Sequence, residues 1–348
     1  MTADAPDPEA IISLAAKVAF LSGRDAFAGL RGTVTTRETH MSWVFLAGDR
    51  VYKLKKPVRF PYLDFSTLAL REAACRAELR LNRRLSSDVY LEVVPLALSN
   101  GRLSIGGAGE VVDWLVAMRR LDEADVLETR LKNHLQVWEL DRLASTLARF
   151  YRRARPVVIS PSAHLADWAK ALANDRQILL DARLDLPHGL VRWLDGVLRR
   201  FVRLERTRLV ERASQRRILD VHGDLRPEHI WMGDPIRIID CLEFSPSLRA
   251  NDPMDEIAFL DLECERLGAP EAGKRIRAKV LRALHEPNGE LLYRFYRCHR
   301  AMLRARLAIA HLLEPSPRTP RMWPRLARAY LDLAKCDAVV IERLLRRP

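Results

Sequence analysis

The chain has 348 residues, 48% of them hydrophobic, and carries a formal net charge of +13 from 58 Lys and Arg against 45 Asp and Glu. That is enough apolar material for a sizeable core, at a length that suits two domains or one two-lobed unit, and no apolar run approaches the roughly 18 residues of a membrane span. The five cysteines are odd in number, scattered and never spaced as CxxC, which excludes a disulfide frame or zinc ribbon and predicts reduced thiols in the cytoplasm.

Met1 to Glu9 is short, acidic and proline-punctuated, without the basic and apolar regions of a signal peptide; residues 1–32 are expected to form a helical extension. From Thr33 to Leu121 short alternating segments dominate. Ser42 to Leu46 reads as a strand, Gly48-Asp49 as a turn, and Val51 to Lys55 as a strand with Val51, Lys53 and Lys55 on one face. Leu91 to Leu98, Leu103 to Ile105 and Val111 to Met118 supply three more, with Ser99-Asn100-Gly101 as a hairpin turn. Between them lies one helix, roughly Thr67 to Leu85. A small antiparallel five-stranded unit over 33–120 with one inserted helix is the arrangement of a kinase N-lobe. The hinge is expected near Met118 to Leu121, where backbone groups would read an adenine edge. After Leu121 the pattern turns almost wholly helical, so the fold class is α+β, a small strand-rich part followed by a large mainly helical part over 121–348.

Much of the basic excess is spread over amphipathic helices, as at Arg199, Arg200, Arg203, Arg206, Arg208 and Arg212. With no RNP-like aromatic pattern, zinc-finger spacing or compact basic arm, it predicts a solvated arginine face and no nucleic-acid partner; attraction to an anionic substrate stays open.

Ile218, Leu219 and Val221 then lead into His222-Gly223-Asp224-Leu225-Arg226-Pro227-Glu228-His229. Ile230 to Met232 exit from this loop, Gly233-Asp234-Pro235 makes a turn, and Ile236, Ile238 and Ile239 run into Asp240. The pattern H-x-D-x-x-x-x-N followed by an Asp on a hydrophobic strand is that of a kinase catalytic loop and metal-binding strand end. Phosphoryl transfer needs one carboxylate to orient and deprotonate the acceptor hydroxyl, here Asp224, and another to hold a metal ion against the phosphates, here Asp240. Arg226, two residues after Asp224, would offset γ-phosphate charge. His222 reads as structural, its ring bonding backbone near Asp240.

These residues carry a resemblance. Val221 to Ile230 and Ile238 to Leu260 resemble the aminoglycoside phosphotransferase and choline kinase-like branch of the protein kinase-like superfamily. Within it the chain is most similar to the bacterial group called aminoglycoside phosphotransferase family enzymes. Chains of that group carry segments like Glu38 to Phe45, Val51 to Val58 and Asp240 to Phe244, so the resemblance spans about Glu38 to Ala310. It implies a two-lobed protein kinase-like fold, with a large mainly helical C-lobe over 121–348 that holds a catalytic loop at 221–244, and an ATP-dependent kinase with Mg²⁺ or Mn²⁺ as cofactor. A kinase needs a strand lysine for the nucleotide phosphates and a helix glutamate to hold it. Lys53 fits, with Lys55 on the same face as an alternative; of Glu72 and Glu78, which point to different sides of the helix, the resemblance favours Glu78. Some chains of the group carry a further C-terminal P-loop ATPase domain, for which this chain is expected to leave no room.

His229 stands where Asn is usual. It offers a metal an imidazole nitrogen, better suited to Mn²⁺ or Zn²⁺ than to Mg²⁺, so either metal sits on Asp240 chiefly, or the site takes a more nitrogen-tolerant ion with His229 as second ligand beside Asp240, or metal binding is impaired. Glu243 is a further metal or supporting candidate. Asp252 reads as an N-cap before Pro253, and Asp255 as a partner of Arg249 or another loop cation. No G-x-G-x-x-G loop is present; Gly29 to Thr33 and Thr35-Thr36 are weak candidates for the phosphate-covering segment, and Gly106 to Gly109 reads as a hairpin connection. Gly268 to Lys274 fits G-x-x-x-x-G-K, but Arg275 follows in place of Ser or Thr, and a helix precedes it where a P-loop needs a strand; it is read as a helix-helix connection. Arg297, Arg300 and Arg304 share a helix face. If that face lines the acceptor pocket, the acceptor is anionic; otherwise these arginines pair with acids. The tail from Trp323 to Leu345 either packs on the C-lobe or forms a dimer face.

The reaction expected is transfer of the ATP γ-phosphoryl group to a hydroxyl of a small molecule, with no membrane partner and the oligomeric state open. The alternatives are a non-catalytic nucleotide-binding regulator and nucleotidyl transfer to protein.

Overall fold

The computed structural model describes residues 12–133, 135–286, 289–314, 317 and 319–346, so the expectation for Met1 to Glu9 lies outside the described residues. The chain divides into two compact units. The first runs to Asp125 and takes in Gly233–Ser247; the second comprises Val126–Met232 and the chain from Leu248 onward.

In the first unit, alternation of apolar and polar residues builds one antiparallel sheet. Its strands are β1 (Thr35–Glu38), β2 (Ser42–Ala47), β3 (Arg50–Lys55), β4 (Tyr90–Ser99), β5 (Arg102–Ile105) and β6 (Glu110–Arg119), in the order β1-β2-β3-β6-β4-β5. There are six strands where five were expected. Thr35 to Glu38, not among the expected strands, pairs with Leu46 to Trp43 across a turn closed by the Thr39 hydroxyl, which accepts the Ser42 N–H at 3.0 Å. Helix α1 (Leu14–Ser22) supplies Leu21 to one face, where Tyr52 and Leu54 of β3 join Phe45, Leu96 and Leu115. Helix α2 (Leu68–Asn82), capped by the Thr67 hydroxyl, covers the other face through Cys75 beside Val51 and Val116. The period of two in β3 thus sends Val51, Lys53 and Lys55 toward α2.

A buried ion triad fixes both helices to β6. Lys17 of α1 donates to Asp113 Oδ2 at 2.8 Å and Arg71 of α2 to Asp113 Oδ1 at 2.9 Å, with further bonds to the carbonyls of Val112 and Phe65. Buried charges persist only when paired and hydrogen-bonded in this way.

The second unit is helical: α3 (Leu127–Lys132), α4 (Val137–Arg153), α5 (Pro161–Leu179), α6 (His188–Leu204), α7 (Arg206–Ser214), α8 (Pro253–Arg266), α9 (Pro270–Ala283), α10 (Glu290–Ala310) and α11 (Met322–Leu345). Its core is aromatic-rich, with Phe201 stacked on Phe295 at 4.0 Å between centroids and Trp168 edge-on to Phe295 at 4.8 Å. The tail helix α11 packs on α10 and buries Tyr330, Leu331, Ala338 and Ile341, which gives the packed arrangement left open by its periodicity. Asp252 caps α8 as expected, accepting the Met254 N–H at 2.9 Å, and also takes a fork from Arg212.

Gly268 to Lys274 joins α8 to α9 as helix, turn and helix, so it is not a phosphate loop. Gly273 instead lets the two helices meet: a Cβ there would stand 2.3 Å from Asp261 Oδ1 and 2.9 Å from its Cα. Gly273→Ala is expected to destabilise the protein by about 1–3 kcal/mol, since backbone must move to admit a methyl group. Urea unfolding tests this; an unchanged midpoint would mean that the helices separate easily.

No helix among the described residues is long and apolar enough to cross a membrane. None of the five cysteines is in a disulfide.

Candidate functional site

In the first unit, two lysines from one strand face converge on one carboxylate. Lys53 Nζ lies 2.9 Å from Glu78 Oε1 and Lys55 Nζ 2.7 Å from Glu78 Oε2. Their outer partners differ: Lys53 reaches Asp240 Oδ1 at 2.9 Å, whereas Lys55 donates to Glu243. Lys55 and Glu78 are fully buried, while the Lys53 side chain keeps 16% exposure and that of Asp240 47%. Burial alone pushes the Glu78 carboxyl up, but the two ammonium groups outweigh it and hold it below its usual range. Burial likewise opposes charge on Lys53, and Asp240 and Glu78 together raise it well above its usual value. Both alternatives of the strand reading therefore bond Glu78, and Lys53 is the one with a side open to solvent. Among the described residues Glu72 makes only a helical pair with Arg76. Glu243 is buried, and desolvation raises its carboxyl despite Lys55.

Asp240 adopts φ +64°, a left-handed conformation that Asp tolerates better than most residues. Neighbours hold it there: the Tyr90 hydroxyl accepts the Asp240 N–H at 3.2 Å and Asn82 Oδ1 accepts the Cys241 N–H at 2.9 Å. Asn82 in turn donates to the Glu78 carbonyl, and the Ser86 hydroxyl bonds both backbone groups of Ile238. One helix end thus positions both Glu78 and the strand leading to Asp240. Tyr90, Asn82 and Ser86 were not found from sequence, because bonds to a distant backbone leave no local signature.

The half-exposed Asp240 carboxylate would suit a hard divalent cation as an oxygen ligand. Such an ion supplies charge neutralisation at phosphate oxygens when bound. Met118 lies in β6, paired with Val51 and Tyr90, and the N–H groups of Arg119 and Arg120 donate to the Val89 and Asp49 carbonyls; the strand ends at Arg119.

In the second unit, Leu219–Asp220 pairs with Ala250–Asn251, and the loop that follows enters a 3₁₀ turn at Pro227–His229. Gly223 has φ +90°, which favours glycine, and this turns its N–H onto Glu256 Oε1 at 2.6 Å. Asp224 follows, with 23% of its side chain exposed. Arg226 engages Asp224 Oδ2 through Nε at 3.1 Å and Nη2 at 2.9 Å, and also donates to Glu228. Oδ1 of Asp224 has no protein partner among the described residues. Burial works to raise this carboxyl; Arg226, then His229, reverses it, so the group sits below its usual range, ionised and able to accept a hydroxyl proton.

His229 Nδ1 lies 2.8 Å from the Asp224 carbonyl, which can only accept, and Nε2 lies 3.3 Å from Arg226 Nη2, which can only donate. The proton therefore sits on Nδ1, and a metal at Nε2 would have to displace the guanidinium. His222 Nδ1 accepts the Asp224 N–H at 3.3 Å.

Asp255 pairs with neither Arg249 nor another loop cation, the partners expected for it. It takes a fork from Arg300 at 2.7–2.8 Å, and Arg249 bonds Asp220, because α10 presents Arg300 directly to the buried face of α8. Arg297 meets Asp261, Glu265 and Asp337. Two of the three arginines on that helix face thus serve packing, and they do not argue for an anionic acceptor.

Glu256 is a loop brace that sequence reading missed. It is buried within a helix and accepts the Gly223 N–H, the His222 N–H and the Tyr151 hydroxyl. Burial pushes its carboxyl up to about 7 from 4.5, against the pull of those donors. A raised carboxyl keeps its proton in the folded state while the unfolded chain releases it, so stability falls as pH climbs from about 4.5 to 7 and levels off above. Relative to Glu256→Gln, the wild type should lose on the order of 2 kcal/mol between pH 5 and pH 8. Denaturant unfolding of both proteins at the two pH values checks this; a difference that does not change with pH would refute it.

No family model matches the chain. Uncharacterised proteins of Mycobacterium tuberculosis and Mycobacterium bovis are 32% identical over 292 residues, covering 82% of this chain and 56% of each relative. The chain therefore spans about half the length of the curated relatives it matches. Among solved structures, a choline kinase from Cryptosporidium parvum Iowa II matches with a TM-score of 0.56 at 11% identity, over 94% of this chain and 96% of that one. The GDP complex of wild-type aminoglycoside 2'-phosphotransferase-IIIa matches with a TM-score of 0.50 at 15% identity, over 93% and 97%. A choline/ethanolamine kinase family protein from Mesorhizobium loti gives 0.50 at 16%, over 91% and 97%. With its curled antiparallel sheet, its helical second unit and these matches, the chain has the protein kinase-like fold of the aminoglycoside phosphotransferases and choline kinases.

Proposed function

We propose that this protein is an ATP-dependent phosphotransferase that moves the γ-phosphoryl group to a hydroxyl of a small molecule. The observation that carries this reading is the pair of prepared carboxylates. Asp224 is ionised with Oδ1 open, and Asp240 is half-exposed beside a lysine that Glu78 already holds. In this reading Lys53 contacts the nucleotide phosphates and Glu78 sets its position. Asp224 orients the acceptor hydroxyl and takes its proton. Arg226 exchanges one of its carboxylate contacts for the transferring phosphoryl group, and Asp240 holds Mg²⁺ or Mn²⁺. Met118 itself is held in the sheet, so the base is read by backbone groups past it that the sheet leaves open. The relatives solved with GDP and with AMP support a nucleotide as the donor.

A regulator that only binds nucleotide would have no need of a carboxylate kept ionised with one oxygen open, which favours catalysis. The test is ADP release, followed by a coupled assay, across a panel of hydroxyl compounds with Mg²⁺ and with Mn²⁺. Acceptor-dependent ADP release, with a phosphorylated product seen by mass spectrometry, is the expected result. Nucleotide binding without any turnover would favour the regulator, and a nucleotidylated protein product would favour the transfer of AMP.

A further inference from the structure

Arg226, Arg297 and Arg300 are all engaged by carboxylates, but two other arginines of the second unit are not fully so. Helix α8 packs against the turn at Pro227–His229, and in its last turn Glu263 is completely buried. Arg266 from α8 approaches Glu263 Oε2 through Nε at 2.6 Å, and Arg304 from α10 approaches Oε1 through Nε at 3.4 Å. The Tyr330 hydroxyl donates to the same Oε1 at 2.6 Å. Both guanidinium carbons stand over the Tyr330 ring, at 5.8 and 5.6 Å from its centroid. One carboxylate thus serves two cations, leaving an excess positive charge. Both arginines use Nε for these contacts, and their Nη nitrogens have no acceptor among the described residues. Their side chains are 23% and 20% exposed, so the open ends are within reach of a solute.

The pair also stands within electrostatic range of the catalytic loop. Arg304 follows Arg226 and His229 among the groups that counter the effect of burial on Asp224, and Glu228 is among the acids that favour charge on Arg266. A protein that needed only to neutralise Glu263 would use one arginine. Two planar forks held rigid by a shared carboxylate and an aromatic ring, with four N–H-bearing nitrogens unused, match the oxygens of a phosphate or carboxylate.

We propose that Arg266 and Arg304 form an anion-binding fork for the acceptor, which is a small hydroxyl compound carrying a phosphate or carboxylate group. This rests on the phosphotransferase reading, and it replaces the arginine face suggested by helical spacing with a pair drawn from two helices.

The probes are glycerol 3-phosphate and glycerate, with glycerol as their neutral counterpart, added to the full chain saturated with ADP and Mg²⁺ and followed by ligand-observed NMR. One of the two anions should bind and glycerol should not; which anion binds separates phosphate from carboxylate recognition. Arg266→Gln and Arg304→Gln should each weaken that binding about tenfold or more, as expected for loss of a charge-assisted contact. Arg304→Lys, which keeps the charge but not the fork, should fall between. Failure of both anions to bind the wild type, equal binding of glycerol, or indifference to both Gln variants would overturn the fork. The two readings fail separately. Anion binding at the arginines with no phosphorylated product would sink phosphoryl transfer alone. Transfer to neutral or cationic acceptors in preference to anionic ones would sink the fork alone.

Discussion

Replacing Asp224 with Asn should lower kcat by about a thousandfold, within the range by which a positioned general base contributes to a reaction. Asn keeps the size and shape of the side chain but cannot take a proton. The Arg226 fork loses its carboxylate partner yet retains Glu228, and the Asp224 pair is partly exposed, so the change in stability should be below about 1 kcal/mol. Nucleotide affinity, measured by direct titration, should be largely retained. The pH profile gives an independent check. Because Arg226 and His229 outweigh burial and hold the Asp224 carboxyl below its ordinary range, its ionised form persists to lower pH than an isolated Asp. The acid limb of kcat/KM should therefore fall below the usual carboxylate range. A variant within about tenfold of wild-type activity would remove Asp224 from the role of base.

Asp240→Asn should abolish the metal-dependent part of nucleotide binding. The substitution is a clean test of charge, because Asn tolerates the left-handed backbone at φ +64° about as well as Asp. The Tyr90 and Asn82 bonds that hold this segment go to backbone N–H groups and so survive it. Lys53 keeps Glu78 when Asp240 is neutralised, so its position should change little. In the wild type, ATP at about 100 times its dissociation constant with Mg²⁺ or Mn²⁺ should add roughly 2.7 kcal/mol of stability, visible as a rise in Tm. In the variant the rise should no longer depend on metal. A wild-type shift indifferent to metal would favour a regulator over an enzyme, and no shift with either ion would count against nucleotide chemistry.

The reading of the site rests on contributions of two kinds. Period and local chemistry placed Lys53 on a strand face, Glu78 inside a helix, and Asp224 and Asp240 at the tips of short apolar segments. All four depend on patterns a few residues long, set by the alternation of a strand, the 100° step of a helix and the demands of a turn. The same logic identified the Asp252 cap and dismissed Gly268 to Lys274 as a phosphate loop. It could not decide between Lys53 and Lys55, because both project from the same face. What separates them is how far each reaches into solvent, and whether Asp240 or Glu243 stands at its outer side.

Partners that come from distant parts of the chain lay beyond local pattern. Glu256 braces the loop at Gly223 from 33 residues away, Asn82 reaches Cys241 across 159, and Tyr90 reaches Asp240 across 150. The arginines show the limit most directly. Helical spacing grouped Arg297, Arg300 and Arg304, yet the packing of α8, α10 and α11 engages the first two with buried acids and sets Arg304 beside Arg266. Sequence alone determined which residue types stand at which points along each element, because those follow from backbone geometry and burial period. Only the tertiary structure decided which charges are neutralised and which keep open hydrogen-bonding groups, because that depends on pairings between elements whose separation along the chain carries no periodic signal.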